Sequence, residues 1–467
     1  MKERANALDA LRGYAIITMV LSATVVYGIL PAWMHHFQEP PPTHQYDANL
    51  SGLTWVDLVF PSFLFAMGAA FPFSIGKKFA KGTSRINLLI NALWRGVLLL
   101  FFAVFVSHFH PYMIESSQSP RSWSLALFCF AMLFAIYMRI PAKIPEWSRW
   151  AIQIGAMVIG TLVMINIDYA NGYEFNLYTK DIIIFILAHM AVLASCIYIF
   201  TIGRPILRFG VLAFYGVMLF WATFPDSVGA KIMSYTPLDW VYNPFYLRYL
   251  FILIPASFAG EILMKWMDER NKGEHITNTK PLVAWGMIGV TLLMVIANMC
   301  CIYLHEIILS VVITLVLAII GVWILKDARD YASLWKKLFI LGSALMILGI
   351  ACEPIDGGVK KDGPSFSYMF VTGAMATMLL IFFNVVCDYF KSHRYTNFLV
   401  MSGQNPMVAY VACGLVIWPL LQWTGITNYM GVFYTSPFMA FLQGVLLTTM
   451  AVLMTIFFTK MKCIWRT

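Results

Sequence analysis

Residues 281–325 read PLVAWGMIGVTLLMVIANMCCIYLHEIILSVVITLVLAIIGVWIL. This segment holds two apolar runs, 282–304 and 306–325, joined by a very tight turn. Each run has about the 20 residues that a helix needs to cross a bilayer. Because unpaired backbone groups cannot face lipid, such runs are expected to be helical. The segment therefore predicts a pair of membrane-spanning helices.

The composition extends this interpretation to the whole chain. Of 467 residues, 60% are hydrophobic and only 12% are charged, whereas soluble domains are about 45–50% apolar and about 25% charged. These values exclude a soluble globular protein, and the apolar content also excludes a disordered chain. We predict an all-α polytopic membrane protein with about 11–14 transmembrane helices, forming a single integral membrane domain over residues 1–467. The predicted spans lie at about 14–34, 54–76, 87–107, 122–140, 150–168, 181–201, 209–224, 245–264, 282–304, 306–325, 338–352, 367–387, 398–422 and 436–459.

The basic residues predict the orientation of these spans. With a cytoplasmic amino terminus, 25 of the 32 Lys and Arg residues fall in inner loops, six fall in outer loops, and Arg95 lies within a span. This asymmetry predicts a multi-pass protein of the cell (inner) membrane, embedded in the lipid bilayer with both termini cytoplasmic. The same clusters account for the net charge of +9, so no nucleic-acid partner is expected. The sequence leaves the oligomeric state open, with a homodimer as one alternative.

One outer loop carries side chains suited to proton transfer. The segment HHFQEPPPTHQYDANLSG, residues 35–52, contains His36 and His44, and Asp57 follows near the outer end of the next span. Histidine accepts and donates protons near neutrality. A carboxylate at Asp57 is costly in a span unless it is paired, for example by orienting a histidine. The alternative is a solvated loop with interfacial histidines. Adjacent histidines are not a usual metal-ligand spacing, so we expect no metal.

Other polar residues interrupt the apolar pattern. Arg95 either extends to the inner interface or, together with Arg12, binds a phosphate-bearing ligand. Lys360 lies in an outer turn that forms either a sugar-binding lip or a simple exposed turn. Asn405 either caps a helix or presents its amide to a substrate.

Several segments together resemble one family. This is the transmembrane acyltransferase family of heparan-α-glucosaminide N-acetyltransferase and its bacterial relatives. The resemblance is clearest over about 5–110 and 335–425, while 170–330 matches poorly and is expected to hold extra spans. The segments are LDALRG at 8–13, GLTWVDLVFPSFLFAMGAA at 52–70, WRGVLLL at 94–100, PSFSYMF at 364–370 and GQNPMVAY at 403–410.

The resemblance implies transfer of an acetyl group from cytosolic acetyl-CoA to the amine of a glucosamine-type sugar. It implies a histidine in the outer loop, as general base or acetyl carrier. Counting back from Gly52 places Asp47 at the position of the family histidine, and counting forward from the first span reaches residues 34–36; we favour His36 as this histidine, with His44 second. Asp57 would orient the histidine, Asn405 would donate to the carbonyl oxygen, and Arg12 and Arg95 would bind the coenzyme. The acceptor would contact a group of residues that comprises Asp47, Lys360, Ser367 and Tyr368. The alternative function is a secondary transporter of sugars or cell-wall fragments.

Overall fold

The computed structural model describes residues 5–139, 145–273 and 279–465, and over these residues the protein is a bundle of long helices. Four of the basic residues on which the predicted orientation rests lie outside the described residues: Lys2, Arg4, Lys143 and Arg466. The main helices are α1 Asn6–Thr24, α2 Trp55–Ala80, α3 Arg85–His108, α4 Pro120–Tyr137, α5 Glu146–Ile165, α6 Ile182–Phe200, α7 Pro205–Trp221, α8 Pro244–Asn271, α9 Pro281–Tyr303, α10 Ile307–Ile324, α11 Tyr331–Asp356, α12 Phe366–Tyr389, α13 His393–Gln404, α14 Pro406–Trp423 and α15 Pro437–Lys460.

The predicted fold class is confirmed. In the described parts of the chain, 13 helices are long and apolar enough to cross a membrane, and α7 is a shorter apolar helix. The only β-pairing among these residues is an isolated bridge between Met138 and Trp465. The tight turn predicted after residue 304 is present, since α9 ends at Tyr303 and α10 begins at Ile307.

The predictions of two spans are wrong, because neither run forms one continuous helix. The run at 14–34 is not one helix, because α1 begins at Asn6 and ends at Thr24, and the chain then turns into a loop with a short 3₁₀ turn. The run at 398–422 is broken at Asn405 into α13 and α14. Proline at 406 explains the second break, because the residue before a proline is disfavoured in the helical conformation.

The helix α12 forms the centre of the bundle. Its span is 89% buried, whereas the spans of α10 and α5 are 22% and 17% buried and belong to the periphery. Close to it, α1 packs backbone-to-backbone against α13: a Cβ on Gly13 would lie 1.8 Å from the Leu399 carbonyl oxygen, and one on Gly403 would lie 1.9 Å from that of Asp9. Small residues allow this close approach of membrane helices.

A cavity lies at one face of the bundle, where one set of helix ends meets. It shows in which direction each helix runs. It is lined by the last residues of α1 and α3 and by the first residues of α2, α6 and α8. Both α6 and α8 begin at this face. Since α6 carries the chain away from the face, α7 and the segment after it must bring the chain back. The beginning of α1 and the end of α15 therefore share the opposite face, where Asn405 Nδ2 donates to the Cys463 carbonyl oxygen (3.0 Å).

Candidate active site

The cavity has a volume of about 880 Å³ and collects polar side chains from distant parts of the sequence. Helix termini supply most of its wall, and the loop after α1 and the turn before α12 close it. This size is within the range of small-molecule sites. Its charged or proton-exchanging lining residues are Tyr27, His35, His36, Glu39, Asp57, His110, Tyr112, Asp181, Tyr246, Tyr249, Lys361, Asp362, Tyr410 and Cys413.

A pair of hydrogen bonds joins the loop after α1 to the turn before α12. The buried Gln38 side chain donates from Nε2 to the Asp362 carbonyl oxygen (3.2 Å) and accepts from the Asp362 N–H at Oε1 (2.8 Å). The Gly52 N–H donates to the Val359 carbonyl oxygen (2.8 Å). This junction places Lys361 beside His36, with Nζ 3.3 Å from Nδ1.

The centre of the site is a contact between His36 and Asp57. His36 Nδ1 lies 2.7 Å from Asp57 Oδ1, and the two side chains are 29% and 1% exposed. The other carboxylate oxygen, Oδ2, accepts hydrogen bonds from the N–H groups of Thr54 (3.0 Å) and Phe37 (3.2 Å). Asp57 is thereby fixed at the first turn of α2, where a carboxylate is stabilised by the helix dipole.

This contact determines which nitrogen of His36 is basic. A carboxylate only accepts hydrogen bonds, so Nδ1 must carry the proton that it donates to Asp57. In the neutral ring, Nε2 then has the lone pair, and it has no hydrogen-bond partner among the described residues. Lys361 Nζ approaches the same Nδ1 but forms its own ion pair with Asp362 (3.4 Å). His36 therefore lines the cavity in a form that can accept a proton.

The other histidine candidate, His44, is arranged differently. Its Nε2 accepts from the Gly28 N–H (3.0 Å), and its Nδ1 donates to the Glu39 carbonyl oxygen (3.2 Å). Its ring also packs edge-on against Tyr27, with centroids 4.8 Å apart. With both nitrogens engaged, His44 holds the loop together, whereas His36 keeps one ring nitrogen without a hydrogen-bond partner among the described residues.

The residues predicted to bind the acceptor do not line the cavity. Asp47 is exposed and accepts at Oδ1 from the Asn49 N–H (2.8 Å), and the Lys360 N–H donates to Ser365 Oγ (3.1 Å). Ser367 and Tyr368 are fully buried behind the site. The Tyr368 hydroxyl donates to the backbone oxygen of Asp57 (2.8 Å), so Tyr368 supports the start of α2 without reaching the cavity.

Asn405 also lies away from the cavity. It is fully buried, and besides its bond to Cys463 its Oδ1 accepts from the Trp465 N–H (3.1 Å). Both ends of the amide are therefore engaged by the backbone near the carboxyl end of the described chain. Asn405 is therefore not among the residues that line the cavity.

Arg12 and Arg95 lie together below the cavity. Their charges are close enough to interact, and Arg12 Nη1 is 3.5 Å from Asp9 Oδ1 and 3.4 Å from the Gly403 carbonyl oxygen. Arg12 precedes the first cavity-lining residue of α1, Met19, by seven residues, which is about 10 Å along a helix. Two guanidinium groups at this point could hold a phosphate-bearing group. No cluster of three or more metal-ligating side chains occurs within the described residues.

A second polar group of the cavity was not predicted from the sequence. The Tyr410 hydroxyl donates to Asp181 Oδ2 (2.6 Å), and His110 stacks on Tyr112 with centroids 5.3 Å apart. Burial lowers the pKa of His110, and the Asp181 carboxylate partly offsets this effect. Tyr410 ends the GQNPMVAY segment, but nothing in the sequence connects it with a residue 229 positions away.

The helical bundle and its cavity define a multi-pass, all-α membrane protein with a pocket at one face of the bundle. The chain belongs to the DUF5009 family, described as a domain of unknown function, whose model matches residues 4–263. Over 103 residues it is 34% identical to heparan-alpha-glucosaminide N-acetyltransferase of Homo sapiens and 33% identical to the protein of the same name of Mus musculus. Each match covers 22% of this chain and 14% of the relative.

Proposed function

We propose that the protein is a transmembrane acyltransferase that moves an acetyl group from acetyl-CoA to the amine of a glucosamine-type sugar. The observation that carries the proposal is the His36–Asp57 contact of 2.7 Å in the wall of the cavity. It provides an oriented imidazole with a basic nitrogen where a small acceptor fits. The partial identity to two proteins named as N-acetyltransferases supports the same class of reaction.

The proposed chemistry uses His36 Nε2 as the general base. An acceptor ammonium first loses a proton to water, and the free amine attacks the thioester carbonyl. The second amine proton passes to Nε2, the C–S bond breaks, and the imidazolium returns this proton to the leaving thiolate. Products are the N-acetyl sugar and free CoA. In the alternative route Nε2 itself carries the acetyl group.

Arg12 and Arg95 are proposed to bind the phosphates of acetyl-CoA. Arginine pairs with phosphate through two parallel hydrogen bonds, and both residues lie in the halves of α1 and α3 that begin at the face opposite the cavity mouth. The pantetheine arm would then extend along α1 toward Met19 and His36. This arrangement requires the face at which α1 and α3 begin to be cytoplasmic, which agrees with the predicted excess of basic residues on that side.

The test uses purified protein in detergent with acetyl-CoA and glucosamine, and measures the release of free CoA. We expect His36→Ala to lower kcat by about 10²–10⁴-fold, as expected for loss of a general base. His44→Ala should mainly lower the melting temperature, because it removes the bond from Gly28. His393→Ala is the matched control, because His393 is exposed and lies on the opposite face of the bundle.

Two results would contradict the proposal. Undiminished CoA release by His36→Ala, with an unchanged melting temperature, would exclude this residue as base. Absence of CoA release by the unaltered protein, together with uptake of labelled glucosamine into proteoliposomes without an acyl donor, would favour the transporter. A stoichiometric burst of CoA in the absence of acceptor would indicate the acetyl-histidine route.

A further inference from the structure

The wall of the cavity has an excess of negative charge. Four carboxylates line it, those of Glu39, Asp57, Asp181 and Asp362, against one ammonium group, that of Lys361. Asp57 is engaged by His36, and Asp362 pairs with Lys361 at 3.4 Å. Glu39 and Asp181 have no cationic partner within 4 Å in the described parts of the chain. The single lysine is thus already paired with Asp362, and Glu39 and Asp181 have neither a histidine nor a cation as a partner among the residues that the structure describes.

Asp181 is fixed by two hydrogen bonds and has no cationic partner within 4 Å among the described residues. It is the N-cap of α6, where Oδ1 accepts from the Ile184 N–H (3.0 Å), and Oδ2 accepts from the Tyr410 hydroxyl (2.6 Å). Carboxylates at this position are stabilised by the free N–H groups and the dipole of the helix. The Asp181 carboxyl group therefore has a fixed position in the cavity wall.

Two histidines of the cavity wall, His110 near Asp181 and His35 on the loop after α1, have ring nitrogens without hydrogen-bond partners among the described residues. Neither ring nitrogen of His110 has a hydrogen-bond partner among the described residues, although the ring is held by its stack on Tyr112 (5.3 Å, 16°). On the loop, His35 is 4% exposed, lines the same cavity, and has a buried Nε2 without a partner. Buried polar atoms in a cavity wall are normally satisfied by water or a ligand.

We propose, on the basis of the function proposed above, that the acceptor is an amino sugar without sulfate, phosphate or carboxylate groups. A cationic or neutral sugar enters a cavity whose unpaired carboxylates attract it, with its amine toward His36 and its hydroxyl groups toward Asp181 and Tyr410. An anionic substituent would meet Glu39 and Asp181 without any free cation to bind it. Like charges brought together in a partly desolvated site oppose binding.

The experiment compares three acceptors in the CoA-release assay: glucosamine, glucosamine 6-phosphate and glucosamine 6-sulfate. We expect kcat/KM for glucosamine to exceed that for either anionic sugar by about tenfold or more, mainly through KM. The ratio should decrease at high salt, which screens charges. Asp181→Asn should reduce it several-fold, because the amide keeps the cap but loses the charge. Asp168→Asn, whose side chain is 96% exposed, is the matched control.

The outcomes separate this inference from the function on which it rests. Release of CoA with the phosphorylated or sulfated sugar at equal or greater kcat/KM would overturn the inference and leave the acyltransferase in place. No release with any of the three acceptors would overturn both. A ratio that is unaffected by both salt and Asp181→Asn would exclude the charge of Asp181 as its cause.

Discussion

Asp57→Asn is the substitution that tests the His36–Asp57 contact most directly. The side chain keeps its shape, and its amide oxygen can still accept from the N–H groups of Thr54 and Phe37, which lie at 3.0 and 3.2 Å from Oδ2. The amide nitrogen then faces His36 Nδ1, where Asp57 Oδ1 had accepted at 2.7 Å. Since two donors cannot face each other, Nδ1 becomes an acceptor and the proton moves to Nε2.

The expected effect on catalysis is large and the effect on stability is small. With the proton on Nε2, the ring presents no lone pair to the acceptor amine. In the Ser-His-Asp triad the same substitution lowers kcat by about 10⁴-fold for this reason, so we expect a loss of about 10³–10⁴-fold here with little change in KM. Replacing one charge-assisted hydrogen bond by a neutral one should cost about 1–2 kcal/mol of unfolding free energy.

The assay is release of free CoA from acetyl-CoA and glucosamine, with the melting temperature measured in the same detergent. Asp168→Asn makes the same chemical change at an exposed site and should behave as the unaltered protein. If Asp57→Asn retains kcat within about threefold while folding normally, the tautomer argument is refuted.

Two further predictions concern stability. Burial, with the neighbouring His44 and His36, lowers the pKa of His35 from 6.5 to about 4, so the unfolded chain binds the proton more readily. The contribution of neutral His35 is complete above about pH 6.5 and is lost as the pH falls toward 4; the melting temperature should fall over this range, and less steeply in His35→Gln. A slope unchanged in His35→Gln would contradict this assignment. Gly403→Ala places a Cβ 1.9 Å from the Asp9 carbonyl oxygen and should cost about 1–3 kcal/mol or more, whereas Gly289→Ala, with no atom within 4 Å, should be neutral. Equal melting temperatures for the two alanine variants would refute the packing of α1 against α13.

The sequence predicted the membrane class and most of the spans because these depend on local composition. A bilayer excludes charge and unpaired backbone groups, so each crossing leaves an apolar run of limited length. The errors occurred where a run of apolar residues continues past the end of a helix, as after Thr24, or where a proline breaks one, as at Asn405. Composition alone does not register either event.

The candidate site was predictable in part. The sequence predicted Asp57 as the orienting carboxylate and limited the candidates for the proposed base to His36 and His44. It could not choose between them, because the choice depends on whether a nitrogen is already bonded, as both are in His44. It also named Lys360, whereas the neighbouring Lys361 lines the cavity.

Sequence by itself therefore determined that the chain is a helical membrane protein, and which loop and carboxylate to inspect. The tertiary structure alone decided that residues 36, 57 and 361 meet at one end of the cavity, and that Asp181 meets Tyr410 across 229 positions. The physical reason is that apolar runs are set by nearest neighbours and lipid. Contacts between distant residues depend instead on which helix faces pack together, and apolar faces of similar composition do not reveal their partners.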